Sequence, residues 1–257
     1  MAVIKIEYYS EVLGMNRLVN VIYPERSKVD NYTGEDIPVL YLLHGMSGNE
    51  NSWLNRSGID RLVRHTNLAV VMPSTDLGFY TNTKYGMNYF DAIAEELPRV
   101  IHEFFPNLTT KREKTFAAGL SMGGYGAVKL GLTTDKFSHV ASLSGALSFD
   151  GLSSEIEKNP NYWHGIFGRT EEFEASDNKI SNLIRHSSQN PKIYIWCGAQ
   201  DFLFEANKAI EAEFVAAGYD VTYETSDGIH DWYYWTQKID SVLEWLPIDY
   251  KREDRKI

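Results

Sequence analysis

Six short runs in this 257-residue chain are almost wholly apolar: residues 38–43, 68–72, 115–118, 139–143, 193–197 and 221–224. A strand that is apolar on both faces has no solvated side, so such runs belong in a parallel sheet covered by helices above and below. The segments between them carry the helical period. Phe90, Ile93, Ala94, Leu97, Ile101 and Phe104 recur at steps of three and four, with Pro98 predicting a kink or a break. Ala206, Ala209, Ile210 and Phe214 mark a second helix, closed by Gly218. Trp232, Trp235, Ile239, Val242 and Leu246 mark a last one, closed by Pro247. Ahead of the apolar runs, residues 2–10 and 16–23 are β-rich and flank Gly14, which predicts an antiparallel hairpin. The expectation is an α/β fold with a mostly parallel sheet of about eight strands.

The stretch 147–185 breaks this rhythm. It is polar, punctuated by Gly, Asn and Ser, and contains Trp163, Phe167 and Phe173. It reads as an insertion above the strand ends within one domain spanning 1–257; the competing reading is a long surface excursion. A chain of this size buries roughly 73% of its unfolded surface, enough for one large core without staples. The charged tail 249–257 is expected to fray.

Composition narrows the function. With 25 basic and 35 acidic residues the net charge is −10, and no Lys/Arg-rich run occurs, so neither nucleic acid nor an anionic membrane is an expected partner. The single cysteine, Cys197, excludes an internal disulfide. The first ten residues include Lys5 and Glu7 and form no signal-peptide core, and no stretch reaches the roughly 20 apolar residues of a membrane span. The expected location is the cytoplasm.

Gly119-Leu120-Ser121-Met122-Gly123 fits G-x-S-x-G directly after a β-like run and ahead of Gly124, Gly126 and Ala127. The spacing suits a serine on a strained strand-to-helix turn, with small residues on either side so that backbone and helix can approach. Serine needs a base, and in this topology the acid and then the histidine follow it along the chain. His44, His65 and His102 precede Ser121; His139 opens an apolar strand; His164 and His186 flank the insertion. His230 sits between the last strand and the last helix and is the expected base. Asp201, in Gly198-Ala199-Gln200-Asp201 after a strand, is the expected acid, although a helix N-cap would also favour Asp there. Asp227 and Asp231 are too near His230 in sequence to reach its ring easily.

An acyl-transfer site also needs N–H donors for a developing oxyanion. Met122, after the serine, supplies one. His44-Gly45-Met46-Ser47-Gly48 follows a strand and supplies the other at Met46, with Gly45 giving backbone room and His44 shaping the loop. Ser47 and Ser144 look exposed but lack the elbow spacing. Cys197 reads as a buried structural thiol. No H-E-x-x-H, paired cysteines, EF-hand loop or phosphate-binding glycine motif occurs, so neither metal nor cofactor is expected. Trp232 and Trp235 fit the buried stripe of the last helix. Trp53, Trp163 and Phe167 are candidates for a substrate pocket.

With these motifs assembled, the chain resembles the esterase D or S-formylglutathione hydrolase-like family of α/β-hydrolases, and within it the bacterial tributyrin esterases. The carriers are Leu42-Leu43-His44-Gly45-Met46-Ser47-Gly48 followed by Trp53, then Gly119 through Ala127, Leu143-Ser144-Gly145-Ala146, and the spaced Asp201 and His230. The likeness extends from the first strand to the last helix. It implies an α/β-hydrolase fold with Ser121, Asp201 and His230 as triad and Met46 and Met122 as oxyanion donors. It further implies cofactor-free hydrolysis of short-chain acyl esters, often by a homo-oligomer. The alternatives carried forward are S-formylglutathione thioester hydrolysis, acyl transfer on the same scaffold, and a non-catalytic binding module.

Overall fold

Each of the six apolar runs forms a strand in the computed structural model, which describes residues 1–149 and 153–252. Residues 150–152 of the expected insertion and 253–257 of the tail lie outside the described residues. The predicted hairpin pairs β1 (Ala2–Ser10) with β2 (Met15–Tyr23) in antiparallel register, turning at Gly14, whose φ is 66°. The remaining strands are β3 (Val39–Leu43), β4 (Ala69–Pro73), β5 (Thr115–Leu120), β6 (His139–Leu143), β7 (Lys192–Gly198) and β8 (Val221–Ser226). They lie in the order β1-β2-β4-β3-β5-β6-β7-β8. The β2–β4 contact is antiparallel and every later pair is parallel.

All positions of β3, β4 and β5 are buried, as two-sided coverage demands. The period of two divides them between two cores. Val39, Tyr41 and Leu43 face one, Leu40 and Leu42 the other. The helices are α1 (Ser52–Ser57), α2 (Ile59–Leu62), α3 (Tyr89–Asp91), α4 (Leu97–Phe104), α5 (Met122–Thr133), α6 (Ser153–Lys158), α7 (Pro160–Phe167), α8 (Thr170–Glu174), α9 (Ile180–His186), α10 (Phe204–Ala216) and α11 (Trp232–Trp245). Helices α4, α5, α9 and α10 contribute to the first core, and α1, α2 and α11 to the second.

The break expected near Pro98 takes the form of a π-helical turn, Ala92–Glu96, between α3 and α4. Proline lacks the N–H that would bond back to residue 94, so the regular ladder cannot run through this point. Glu96, in this widened turn, is buried and accepts hydrogen bonds from the Ser10 hydroxyl and from the Glu11 amide at 2.7 Å, which ties it to the β1–β2 turn.

The tail departs from expectation as far as residue 252. Tyr250 donates its hydroxyl to Asp240, the Lys251 amide donates to the Thr66 hydroxyl at 3.1 Å, and Arg252 bridges Asp240 and Glu244. A charged tail frays only if its charges find no partners, and α11 supplies them. Between β6 and β7, in the stretch read as an insertion, the chain forms the short helices α6 to α9.

Candidate active site

β5 runs into α5 through Ser121, whose backbone sits at φ 54°, ψ −119°. That conformation is costly for any residue with a Cβ, so the surroundings must impose it. The Ser121 amide donates to the Leu143 carbonyl at 2.9 Å, and the Ser121 carbonyl accepts from Tyr125 and Ala146, both at 3.1 Å. Gly119 and Gly123 face each other across the turn; a Cβ on Gly119 would lie 2.3 Å from the Gly123 carbonyl oxygen. The glycines of the motif are therefore a steric requirement of the turn.

His230 reaches the serine from the loop between β8 and α11. Its Nε2 lies 3.0 Å from Ser121 Oγ, and its Nδ1 lies 2.9 Å from Asp201 Oδ2. The tautomer that satisfies both contacts carries the proton on Nδ1, leaving Nε2 to accept from the serine hydroxyl. Asp201 follows β7, and its side chain is wholly buried. Its Oδ1 also accepts from the Leu203 amide at 2.9 Å, closing a turn ahead of α10; the N-cap of that helix is Leu203, so the reading of Asp201 as a helix N-cap is not met. The other two aspartates are engaged elsewhere. Asp231 caps α11 through Tyr233 N–H, and Asp227 accepts from Gln200.

The loop after β3 lies beside this chain of contacts. A Cβ on Gly45 would come within 3.4 Å of Ser121 Cβ and into the Leu120 side chain, so the loop packs against the serine turn. Among the described residues neither the Met46 nor the Met122 amide donates a hydrogen bond within the protein. His44 is 1% exposed, and burial lowers its pKa to about 4, which keeps the ring neutral. Its Nδ1 donates to the Gly45 carbonyl at 2.7 Å, and its Nε2 accepts from the Thr75 amide at 3.1 Å. Its carbonyl accepts from the hydroxyl of fully buried Tyr80 at 3.0 Å. Tyr80 was not recognisable in advance. It sits, like its neighbour Phe79, at positive φ, a conformation with no local sequence signature here.

A cleft of about 730 Å³ opens over Ser121 and His230. Gly45, Met46, Phe79, Ala146, and Tyr162 and Trp163 of α7 are among the residues that line it. Two of the three pocket candidates are corrected. Trp53 is 1% exposed and packs in the second core, its indole N–H donating to the Leu43 carbonyl at 2.9 Å, at the end of β3 just ahead of the His44–Gly48 loop. Phe167 is buried in an aromatic cluster behind Phe79, with ring centroids 5.4 Å apart, and does not line the cleft. Trp163 does.

Trp232 and Trp235 pack in or against the second core yet also border the cleft, beside His230. Ser144 is fully buried and accepts from the Trp235 indole at 3.1 Å, contrary to its expected exposure. Sequence reasoning missed Phe202, which is 59% exposed with its ring 4.7 Å from the imidazole; a lone Phe in the loop after Asp201 was the available signal. Cys197 is buried, and burial pushes its thiol up to about 12.

The model of the family described as "Putative esterase" matches residues 10–246. An acetyl esterase of Caldicellulosiruptor saccharolyticus is 34% identical over 262 residues, which covers 96% of this chain and 98% of that protein. Two solved Staphylococcus aureus structures superpose with a TM-score of 0.85 at 32% identity, each covering 95% of this chain and 98% of the other: the fluorophosphonate-binding serine hydrolase FphF with substrate bound, and the S-formylglutathione hydrolase FrmB without ligand. With the family match spanning nearly its whole length, the chain belongs to the putative esterase family and is a carboxylic ester hydrolase on an α/β-hydrolase fold.

Proposed function

We propose that the protein is a serine carboxylesterase acting on short-chain acyl esters, tributyrin-like esters among them, through an acyl-enzyme. The observation that carries this reading is the unbroken relay Ser121 Oγ–His230 Nε2 at 3.0 Å and His230 Nδ1–Asp201 Oδ2 at 2.9 Å. His230 takes the serine proton as Oγ attacks the ester carbonyl, then returns it to the leaving alcohol. Water repeats the cycle on the acyl-enzyme. Asp201, buried and fixed by Leu203 N–H, holds the imidazole tautomer and stabilises its protonated form. The Met46 and Met122 amides receive the oxyanion, and His44 and Gly45 hold the Met46 amide in place.

Apolar side chains in the lining, Phe79 and Ala146 among them, with Ala146 bonded through its amide to the Ser121 carbonyl, suit a small acyl group. Within a single domain, the 147–185 segment serves as a cap whose Trp163 forms one wall of the cleft. The substrate class is a small-molecule ester.

In the test, Ser121→Ala and His230→Ala each lower kcat on p-nitrophenyl butyrate by several orders of magnitude. A fluorophosphonate probe labels the unmodified protein and not Ser121→Ala. Retention of most activity in pure Ser121→Ala protein would refute the assignment. The 32% identity to the S. aureus S-formylglutathione hydrolase favours a second reading, thioester hydrolysis by the same residues. The ratio of kcat/KM on that thioester to kcat/KM on butyrate esters separates the two.

A further inference from the structure

Lys129 lies in α5, eight residues after Ser121, and is 5% exposed. A buried ammonium is costly unless its hydrogens find partners. The partners here are uncharged. Its Nζ donates to the Thr81 hydroxyl and, at 2.7 Å, to Asn178 Oδ1. Thr81 donates to the same Oδ1 at 2.9 Å, so three side chains close a triangle. The Nζ also lies 4.9 Å from the centroid of the Phe90 ring and 5.6 Å from that of Tyr125. Burial lowers its pKa to about 7, and Asp177 and Asp91 oppose that shift more weakly. Two N–H donors suffice for the triangle, so the charged and the neutral amine both make it. The contacts of Ser121, His230 and Asp201 do not involve this lysine.

The triangle ties two segments to α5. The first is the loop after β4, where Phe79 and Tyr80 sit at successive positive φ of 52° and 48°. Two such residues in a row are strained, so the loop keeps this shape only because its surroundings hold it. Thr81 comes next, its amide donating to the Gly78 carbonyl at 3.1 Å and its side chain held by Lys129. The second segment is the loop between α8 and α9, where the Asn178 carbonyl also accepts from the Tyr125 hydroxyl at 2.8 Å. The two segments meet again through α7. The Lys84 and Tyr85 amides donate to the Ile166 and Gly165 carbonyls at 3.2 and 3.0 Å. Trp163 of α7 packs against Phe79 with ring centroids 5.3 Å apart, and both rings line the cleft.

We propose that Lys129 is a positioning residue for acyl-chain selection: by fastening the Phe79 loop and the Asn178 loop to α5, it fixes the Phe79 and Trp163 lining and so limits the length of acyl chain the cleft takes. The inference rests on the reading of this cleft as an acyl-ester site. With the triangle closed, the strained backbone at Phe79 and Tyr80 cannot relax, and the Phe79 ring stays where it meets the end of a short chain. With the triangle open, that strain is released, the ring withdraws, and longer chains enter.

Lys129→Met keeps an unbranched stem and removes the donors. The test compares its rates on p-nitrophenyl butyrate and octanoate with those of the unmodified full chain, well below the unfolding midpoint of each. The ratio of kcat/KM on octanoate to that on butyrate is expected to rise about tenfold in the variant, the scale on which pocket size discriminates methylenes. The change falls mainly in a lower KM for octanoate, and the fluorophosphonate probe still labels Ser121. Thr81→Val and Asn178→Ala shift the ratio the same way, and either one combined with Lys129→Met adds little, because one network is opened only once. If Lys129→Met does not fold, these two variants carry the test. A folded Lys129→Met that loses stability but keeps the unmodified ratio assigns the lysine to packing alone and overturns the proposal. So does an unshifted ratio in both Thr81→Val and Asn178→Ala. An unmodified protein that hydrolyses neither ester and resists the probe defeats the underlying reading of the cleft and this inference with it. Full esterase activity with unshifted ratios defeats this inference alone.

Discussion

Tyr80 shows how a single side chain couples packing to the site. Its ring lies against Gly126, where a Cβ would come within 2.5 Å, and its hydroxyl donates to the His44 carbonyl directly behind Gly45 and Met46. The hydroxyl is buried, so its phenylalanine variant leaves that carbonyl without its donor. Tyr80→Phe is expected to destabilise the fold by about 1–2 kcal/mol in urea unfolding. On the proposed mechanism it is also expected to lower kcat about tenfold at nearly constant KM, because a loosened Met46 amide would be missed more in the transition state than in the ground state. Equal loss in kcat/KM and 1/KM, with kcat unchanged, would contradict this role. Tyr80 was not legible in the sequence, since a tyrosine in a polar loop has no pattern that reveals a buried partner 36 residues away. His44 was legible, because its position after a strand and before Gly45 constrains it locally.

At the scale of elements, the serine turn depends on how closely β5 approaches α5. The Gly119 Cα and the Gly123 backbone leave no room for a methyl group. Gly119→Ala must therefore push the helix from the strand, an overpacking that costs about 1–3 kcal/mol. Its thermal midpoint is expected to drop by several degrees in calorimetry, at roughly 2–4 °C per kcal/mol for a chain of this size, with activity falling at the same time. An alanine variant of unchanged midpoint would show that the turn has slack. The inner strands β3 to β7 were read closely because two-sided burial leaves continuous apolar runs; β8 is only half-buried. The π turn at Ala92–Glu96 was legible only as a break at Pro98; its form depends on a buried glutamate meeting a hairpin more than 80 residues earlier. The anchoring of the tail on Asp240 likewise needed a helix that folds beside it.

For the molecule as a whole, burial of neutral histidines gives stability a pH dependence. His44 is lowered to about 4 by burial, and half-buried His139 is lowered to about 4, chiefly by burial and then by Lys192. In the unfolded chain both titrate near about 6.5. Below that pH the unfolded state binds more protons than the folded one, so stability is full above about 6.5 and falls as the pH drops toward 4. The slope due to His44 is up to about 1.4 kcal/mol per pH unit, and His139 adds less because solvent screens it. Urea unfolding at a series of pH values from 8 to 4.5 is expected to show this decline, and a flat profile would contradict it.

What the chain's own order determined is the set of strands, several of the helices behind them, and the order along the chain of Ser121, Asp201 and His230, the three side chains that meet at the cleft. Each rests on periodicity or on spacing within a few residues, which local sterics enforce. What only the tertiary structure decided is which aromatics meet the cleft. Trp53 went inside and Phe202 outside, while Trp232 and Trp235 serve the core and the cleft at once. A side chain's exposure is set by segments far away in sequence, and no local pattern carries that information.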